Sequence, residues 1–317
     1  MKSNTDPKKS VIMNKKFNKI LVCLDLTEMD DFLFRYTNFI VDTFAPSSVI
    51  FMHVMHPVEI PDEIKSSFPG FNEPVDQLVR EELEEKAKEL FNAKVDFSIQ
   101  VKQGLTTETI VRYAKNNKID LTIMGKKIGY TGEGGITRKV TSLIPSSVLL
   151  VTETAPYNIK HLWVRMDFSK ISIEALKMAQ SIKEQTGAKV TCHNVFKLPL
   201  NYFPQQTEKQ ETRLLEQMTK HGKKEYQKII KKLNIKEEEF PCEFSMNKEG
   251  GEAQILYHKA VQNQADLILS GSKMKSGLTH VILDNTSEKL AGGGKTLPVL
   301  IVKDKKLSTG ILERIFD

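Results

Sequence analysis

Cysteine is scarce in this chain: three residues in 317, Cys23, Cys192 and Cys242. They show no metal-ligand spacing and no CxxC pair, so neither a disulfide scaffold nor a zinc site is indicated. Two of them fall in apolar strand-like runs, which reads as inert buried thiols in a reducing compartment. No uninterrupted apolar stretch approaches the length of a membrane span. The charge excess is small, +6 at pH 7, and its basic residues are interleaved with acidic ones. That excludes a dedicated nucleic-acid face while leaving room for an anionic ligand. Residues 1–17 carry charges but no apolar core of the kind a signal peptide needs, so they are expected to be a disordered leader on a cytoplasmic protein. Neither a Ser-His-Asp order nor paired histidine ligands occur, and nothing points to a committed enzyme.

What remains is an ordinary globular composition with a length that suits about two domains. The chain is one unit written twice, at a period of about 145 residues. The first copy opens KILVCLDLTEMDDFLF and the second KHLWVRMDFSKISIEAL. Each is a short apolar strand ending in aspartate, then a hydroxyl residue, then a helical pattern. Asp25 corresponds to Asp167, His53 to His193, Asp120 to Asp266 and Gly125 to Gly271. Each copy carries a long charged amphipathic segment. Val79, Leu83, Ala87 and Leu90 recur at helical spacing in the first, and Leu215, Met218, Tyr226, Ile229 and Leu233 in the second. These stripes read as core contacts, and the lysines between them as a solvated face. Each copy therefore reads βαβ–α–βαβ–α–β, a doubly wound, five-stranded parallel sheet with helices on both faces. The two copies are expected to be related by a pseudo-two-fold axis, over residues 18–153 and 158–305, with a C-terminal tail at 306–317. The apolar final strands, Ser147–Val151 and Val299–Val302, lie at sheet edges, where unpaired backbone invites another strand. They are expected to pair with each other or with a second chain.

The GGGKT at Gly292–Thr296 resembles the end of a phosphate-binding P-loop. The full motif needs a further glycine five positions before the second one, and that position is Lys289. A strand follows the loop where a helix should. The glycines read as a turn between the last helix and the last strand, at the end of that sheet opposite the ligand crevice. Lys295 is accordingly expected to take no part in nucleotide binding.

With aspartate closing the first strand, HV in the second, DLTIMG or DLILSG in the fourth and a glycine-bearing loop into the last helix, the chain resembles a tandem universal stress protein over roughly residues 18–305. The resemblance implies a Rossmann-like nucleotide-binding fold and ATP, with magnesium or without it, as the cofactor to be tested against none. It implies that Asp25 and Asp167 contact the adenosine part with Thr27 and Ser169 beside them, and that Val54 and Val195 lie by the adenine. The phosphate loop of that family reads G-x2-G-x9-G-[S/T], in which glycines let backbone approach phosphates and helix-start amides donate to them. Neither copy carries it intact. The first offers Met124, Gly125, Gly132, Gly134 and Gly135, with spacing four residues short, among Lys126, Lys127, Arg138 and Lys139. The second offers Gly271, Gly277, Asn285 and Thr286, with Met274 and Asp284 where glycines belong. Asp284 is also a good N-cap, so that helix start can satisfy itself without a ligand. The first copy is the better nucleotide candidate, although its glycines also fit a plain surface turn.

Two functions follow. One is a stress-response protein that binds ATP or a related adenine nucleotide in at least one domain, with at most slow hydrolysis. The other is an interaction or scaffold protein with decayed sites and an unnamed protein partner. A nucleotide-dependent transferase of related fold is a weaker third, because the glycine loops are incomplete. A homodimer through the edge strands is one expected assembly.

Overall fold

The computed structural model describes residues 17–57, 74–128, 135–197, 208–247, 251–272, 284–292 and 295–303. The N-terminal half runs β1 (Lys19–Leu24), α1 (Glu28–Phe44), β2 (Ser48–Met55), α2 (Val75–Leu90), β3 (Asp96–Gln103), α3 (Thr106–Asn116), β4 (Leu121–Gly125), α4 (Gly135–Leu143) and β5 (Ser147–Val151). The C-terminal half repeats the order: β6 (His161–Arg165), α5 (Lys170–Thr186), β7 (Lys189–Phe196), α6 (Glu208–Leu233), β8 (Cys242–Met246), α7 (Glu252–Gln262), β9 (Leu267–Gly271), α8 (Asn285–Ala291) and β10 (Val299–Val302). Strands rich in Val, Ile and Leu are buried on both faces, as parallel strands under two helical layers must be.

The ten strands form one sheet in the order β3-β2-β1-β4-β5-β10-β9-β6-β7-β8. All neighbours are parallel except β5 and β10, which pair antiparallel with Leu300 opposite Leu149. Each final strand thus takes the other as its partner, which leaves neither edge for a second chain. Of the two pairings expected for these strands, the structure shows the one within the chain. Both hydrophobic layers are drawn from both halves. One joins Phe34, Phe51 and Leu83 to Leu176, Tyr226 and Val302; the other joins Ile110 and Val140 to Trp163, Leu256 and Leu290.

The antiparallel seam has a consequence for the GGGKT turn. Its last residues sit at the amino end of β10, away from the strand ends of their own half, as the sequence predicts. Because β10 runs against β5, that same end lies at the carboxyl end of β5. Thr152 Oγ1 donates to the Thr296 carbonyl at 2.6 Å. At the other end of the seam, Lys303 is buried and its ammonium donates to the carbonyls of Thr141, Ser142 and Ile144 at 2.5, 3.2 and 2.7 Å. These are the free carbonyls of the α4 C-terminus, where a cation is favoured.

Candidate functional site

In a parallel sheet with this winding, the crevice lies at the carboxyl ends of the strands where the order reverses. Here that is the end of β1 and β4 in one half, and of β6 and β9 in the other.

In the N-terminal half β1 ends at Asp25. The chain turns through Leu26 in the left-handed region, φ 59°, and enters α1 at Thr27, whose hydroxyl accepts from the Met29 amide at 3.4 Å. Buried Asp30 holds the turn by accepting from the amides of Asp25 and Leu26 at 3.0 and 2.8 Å. Burial pushes its carboxyl up to about 6 against those bonds. Asp25 itself points outward. It is 58% exposed, accepts from Thr27 Oγ1 at 2.5 Å and faces Lys127 Nζ at 3.7 Å. Val54 and Met124 are buried beneath it. Gly125 closes β4 under α1: a methyl group there would lie 2.5 Å from Met29 Cγ. Gly135 starts α4 in the open. Gly132 and Gly134 lie outside the described residues. Apolar side chains also stand exposed here, Leu26 after β1, Ile128 after β4 and Ile136 at the start of α4.

The C-terminal half repeats the backbone and changes the chemistry. Phe168 repeats the left-handed turn at φ 61°. Ser169 caps α5 and its hydroxyl donates to Asp167. Behind Asp167 stands Arg165, buried at 7% exposure. It bonds Glu252 through Nε at 2.6 Å and Nη2 at 3.2 Å, and Asp284 through Nη1 at 2.9 Å, and it lies 3.5 Å from Asp167. Asp284 in turn accepts from the Thr286 and Ser287 amides at 3.1 and 3.2 Å and from the Ser287 hydroxyl at 2.8 Å. The Thr286 hydroxyl donates to Glu252 at 2.8 Å. The amides that a phosphate would need at the start of α8 are therefore held by a carboxylate, and that carboxylate by an arginine. Asn285 is exposed beside them and Val195 half-buried on β7. Gly271 has a packing role, since a methyl group there would lie 2.5 Å from the Ile171 carbonyl oxygen. Gly277 and Met274 lie outside the described residues. Sequence pattern does not single out Arg165 or Glu252; the one signal is an arginine inside the apolar run HLWVRM.

The three thiols are free; Cys192 is buried as the sequence predicts, Cys23 and Cys242 are half-buried, and desolvation pushes Cys23 and Cys192 up to about 12 and Cys242 up further. His53 and His193 face the core, the first against the Leu24 carbonyl at 3.1 Å and the second against Ser245 Oγ at 2.9 Å. Among the described residues no group of three or more His, Cys, Asp or Glu is placed to hold a metal ion. No helix among them is long and apolar enough to cross a membrane.

Comparison with known proteins accords with this geometry. The universal stress protein family matches the chain twice, over residues 16–152 and 158–303. No curated protein sequence matches it. Among solved structures it is similar to a universal stress protein from Archaeoglobus fulgidus DSM 4304, at 17% identity and TM-score 0.62, over 90% of this chain and 98% of that one. It is also similar to a functionally unknown protein from Pseudomonas aeruginosa PAO1, at 14% identity and TM-score 0.63, over 96% of this chain and 98% of that one. At these identities the likeness establishes the fold. A universal stress protein solved in complex with cAMP matches 44% of this chain and 98% of its own, at 16% identity and TM-score 0.32.

Proposed function

Because the chain belongs to the universal stress protein family, we propose that it is a nucleotide-responsive binding protein whose N-terminal half takes ATP or a related adenine nucleotide. The observation that carries this reading is the contrast between the two strand-end aspartates. Asp25 is 58% exposed, with one lysine and one hydroxyl beside it. Asp167 is 19% exposed and lies against an arginine that two further carboxylates already hold. A ribose hydroxyl can reach the first carboxylate without displacing a buried ion pair. The C-terminal half serves as the structural partner that completes the sheet.

Calorimetric titration of ATP into the whole chain tests this. Asp25→Ala should weaken binding by about ten- to a hundredfold, the worth of one charge-assisted hydrogen bond. Asp167→Ala should leave affinity unchanged. The opposite ranking would put the nucleotide in the C-terminal half. No heat with any adenine nucleotide would favour a second reading, a protein-interaction module. The exposed Leu26, Ile128 and Ile136, which follow β1, follow β4 and start α4, support that alternative, since exposed apolar surface marks contact sites.

A further inference from the structure

Lys126 follows β4 directly, and its amide bonds the Val151 carbonyl at 2.7 Å. Its side chain is buried, at 6% exposure, and its ammonium has no hydrogen-bond partner among the described residues. Burial first, and then the charge of Lys295, pull it down to about 8. Lys295 is itself half-buried and pulled down by burial and by Lys289. No carboxylate offsets either shift. Among the described residues, Glu288 pairs with Arg138 at 3.2 Å, and Glu153 accepts from the Ile128 amide at 3.4 Å. Lys295 reaches the Lys289 carbonyl and lies 5.6 Å from the Tyr257 ring.

Lys303 is the control within the same molecule. It too is buried at the seam, and burial pulls it down further, to about 7, yet three carbonyls meet its amino group. Lys126 has no such answer, and a buried cation left without partners is costly. Two lysines, one from each half, converge at the carboxyl end of the N-terminal strands. Lys127, the next residue, reaches Asp25 at 3.7 Å, so the cationic cluster adjoins the strand-end aspartate.

We propose that Lys126 and Lys295 form a phosphate-binding subsite, built by both halves, for the phosphate end of a nucleotide whose adenosine end lies at Asp25. This rests on the nucleotide reading above. The anion would supply the partner that Lys126 lacks and would relieve its repulsion with Lys295. The GGGKT turn then acts on phosphate in the other half of the chain, through its lysine and without a P-loop.

The test uses the whole chain, as wild type, Lys126→Met and Lys295→Ala, titrated with ATP, AMP and inorganic pyrophosphate, with thermal midpoints recorded alongside. In wild type ATP should bind more tightly than AMP. Both variants should lose about tenfold of that difference, which is what one ion pair of about 1.4 kcal/mol contributes, while AMP affinity stays the same. Lys126→Met should also raise the midpoint without ligand, because methionine fills the site without the charge. An undiminished preference for ATP over AMP in both variants overturns the subsite, as does a lower ligand-free midpoint in Lys126→Met, which would mark a structural lysine. If wild type binds neither ATP nor AMP, the nucleotide reading fails by itself. Pyrophosphate that stabilises wild type but not Lys126→Met would then keep the subsite as one for free phosphates, and pyrophosphate without effect on either would overturn it.

Discussion

At the end of its first strand the N-terminal half carries Cys23, and the C-terminal half carries Arg165 at the matching position. Around the cysteine stand an exposed aspartate and a buried lysine without a hydrogen-bond partner among the described residues. Around the arginine three carboxylates have closed in, and one of them caps the helix that should receive phosphate. The backbone is the same in both, down to the left-handed residue after the aspartate. The two halves thus share a scaffold and differ in the charge buried at their strand ends. A carboxylate inside the fold can take the helix-start amides that an anionic ligand would otherwise accept from, and Arg165 supplies the cation that holds Asp284 there.

The comparison breaks most visibly at Arg165. Arg165→Met should destabilise the chain by about 3–5 kcal/mol, since it leaves Glu252, Asp284 and Asp167 near one another without their cation. Urea denaturation measures this. Adding Asp284→Asn to Arg165→Met should recover part of the loss, and an additive double variant would mean the cluster is not coupled.

The halves should also differ with pH. His193 is fully buried, and burial, then the charge of Lys259, pull it down to about 4. Between pH 4 and about 6.5 the unfolded chain therefore binds more protons than the folded one. The stability contributed by neutral His193 is present above about pH 6.5 and is lost as pH falls through 4, by about 3 kcal/mol at most. Asp30, pushed up to about 6, works in the opposite direction, losing stability as pH rises through that window. Comparing wild type with His193→Gln across pH 4 to 7 isolates the histidine: the variant should show a flatter acid limb. Equal slopes would mean that His193 is not responsible.

The two strand-end glycines give a smaller contrast. Gly271→Ala drives a methyl group against the Ile171 carbonyl, rigid backbone, and should cost about 1–3 kcal/mol. Gly125→Ala drives a methyl group to 2.5 Å from Cγ of buried Met29, a side chain that can change rotamer where backbone cannot, and should cost less than Gly271→Ala. Thermal unfolding of the two variants side by side checks this, and equal losses would show that the N-terminal crevice is as tightly packed as the other.

Much of the molecule was legible from pattern. Leu83 and Ala87 of one stripe and Tyr226 and Ile229 of the other are buried, while Leu215 and Met218 near the start of α6 are only half-buried. Asp284 caps its helix as its residue type and position imply. These are local matters: periodicity and capping act over a turn or two of chain. The charge cluster was not legible, because Arg165, Glu252 and Asp284 are far apart in sequence and meet only when β6, α7 and α8 pack together.

By itself, the sequence determined that the unit is duplicated, the order of its elements, the aspartate at each first strand end, and that GGGKT enters a strand. Only the tertiary structure decided which strand ends that turn lies beside. The direction in which β10 meets β5 is a pairing between segments far apart in the chain, and no local propensity encodes it. Run antiparallel, the seam carries Lys295 away from its own crevice to the other half's strand ends, beside a buried lysine that has no hydrogen-bond partner among the described residues.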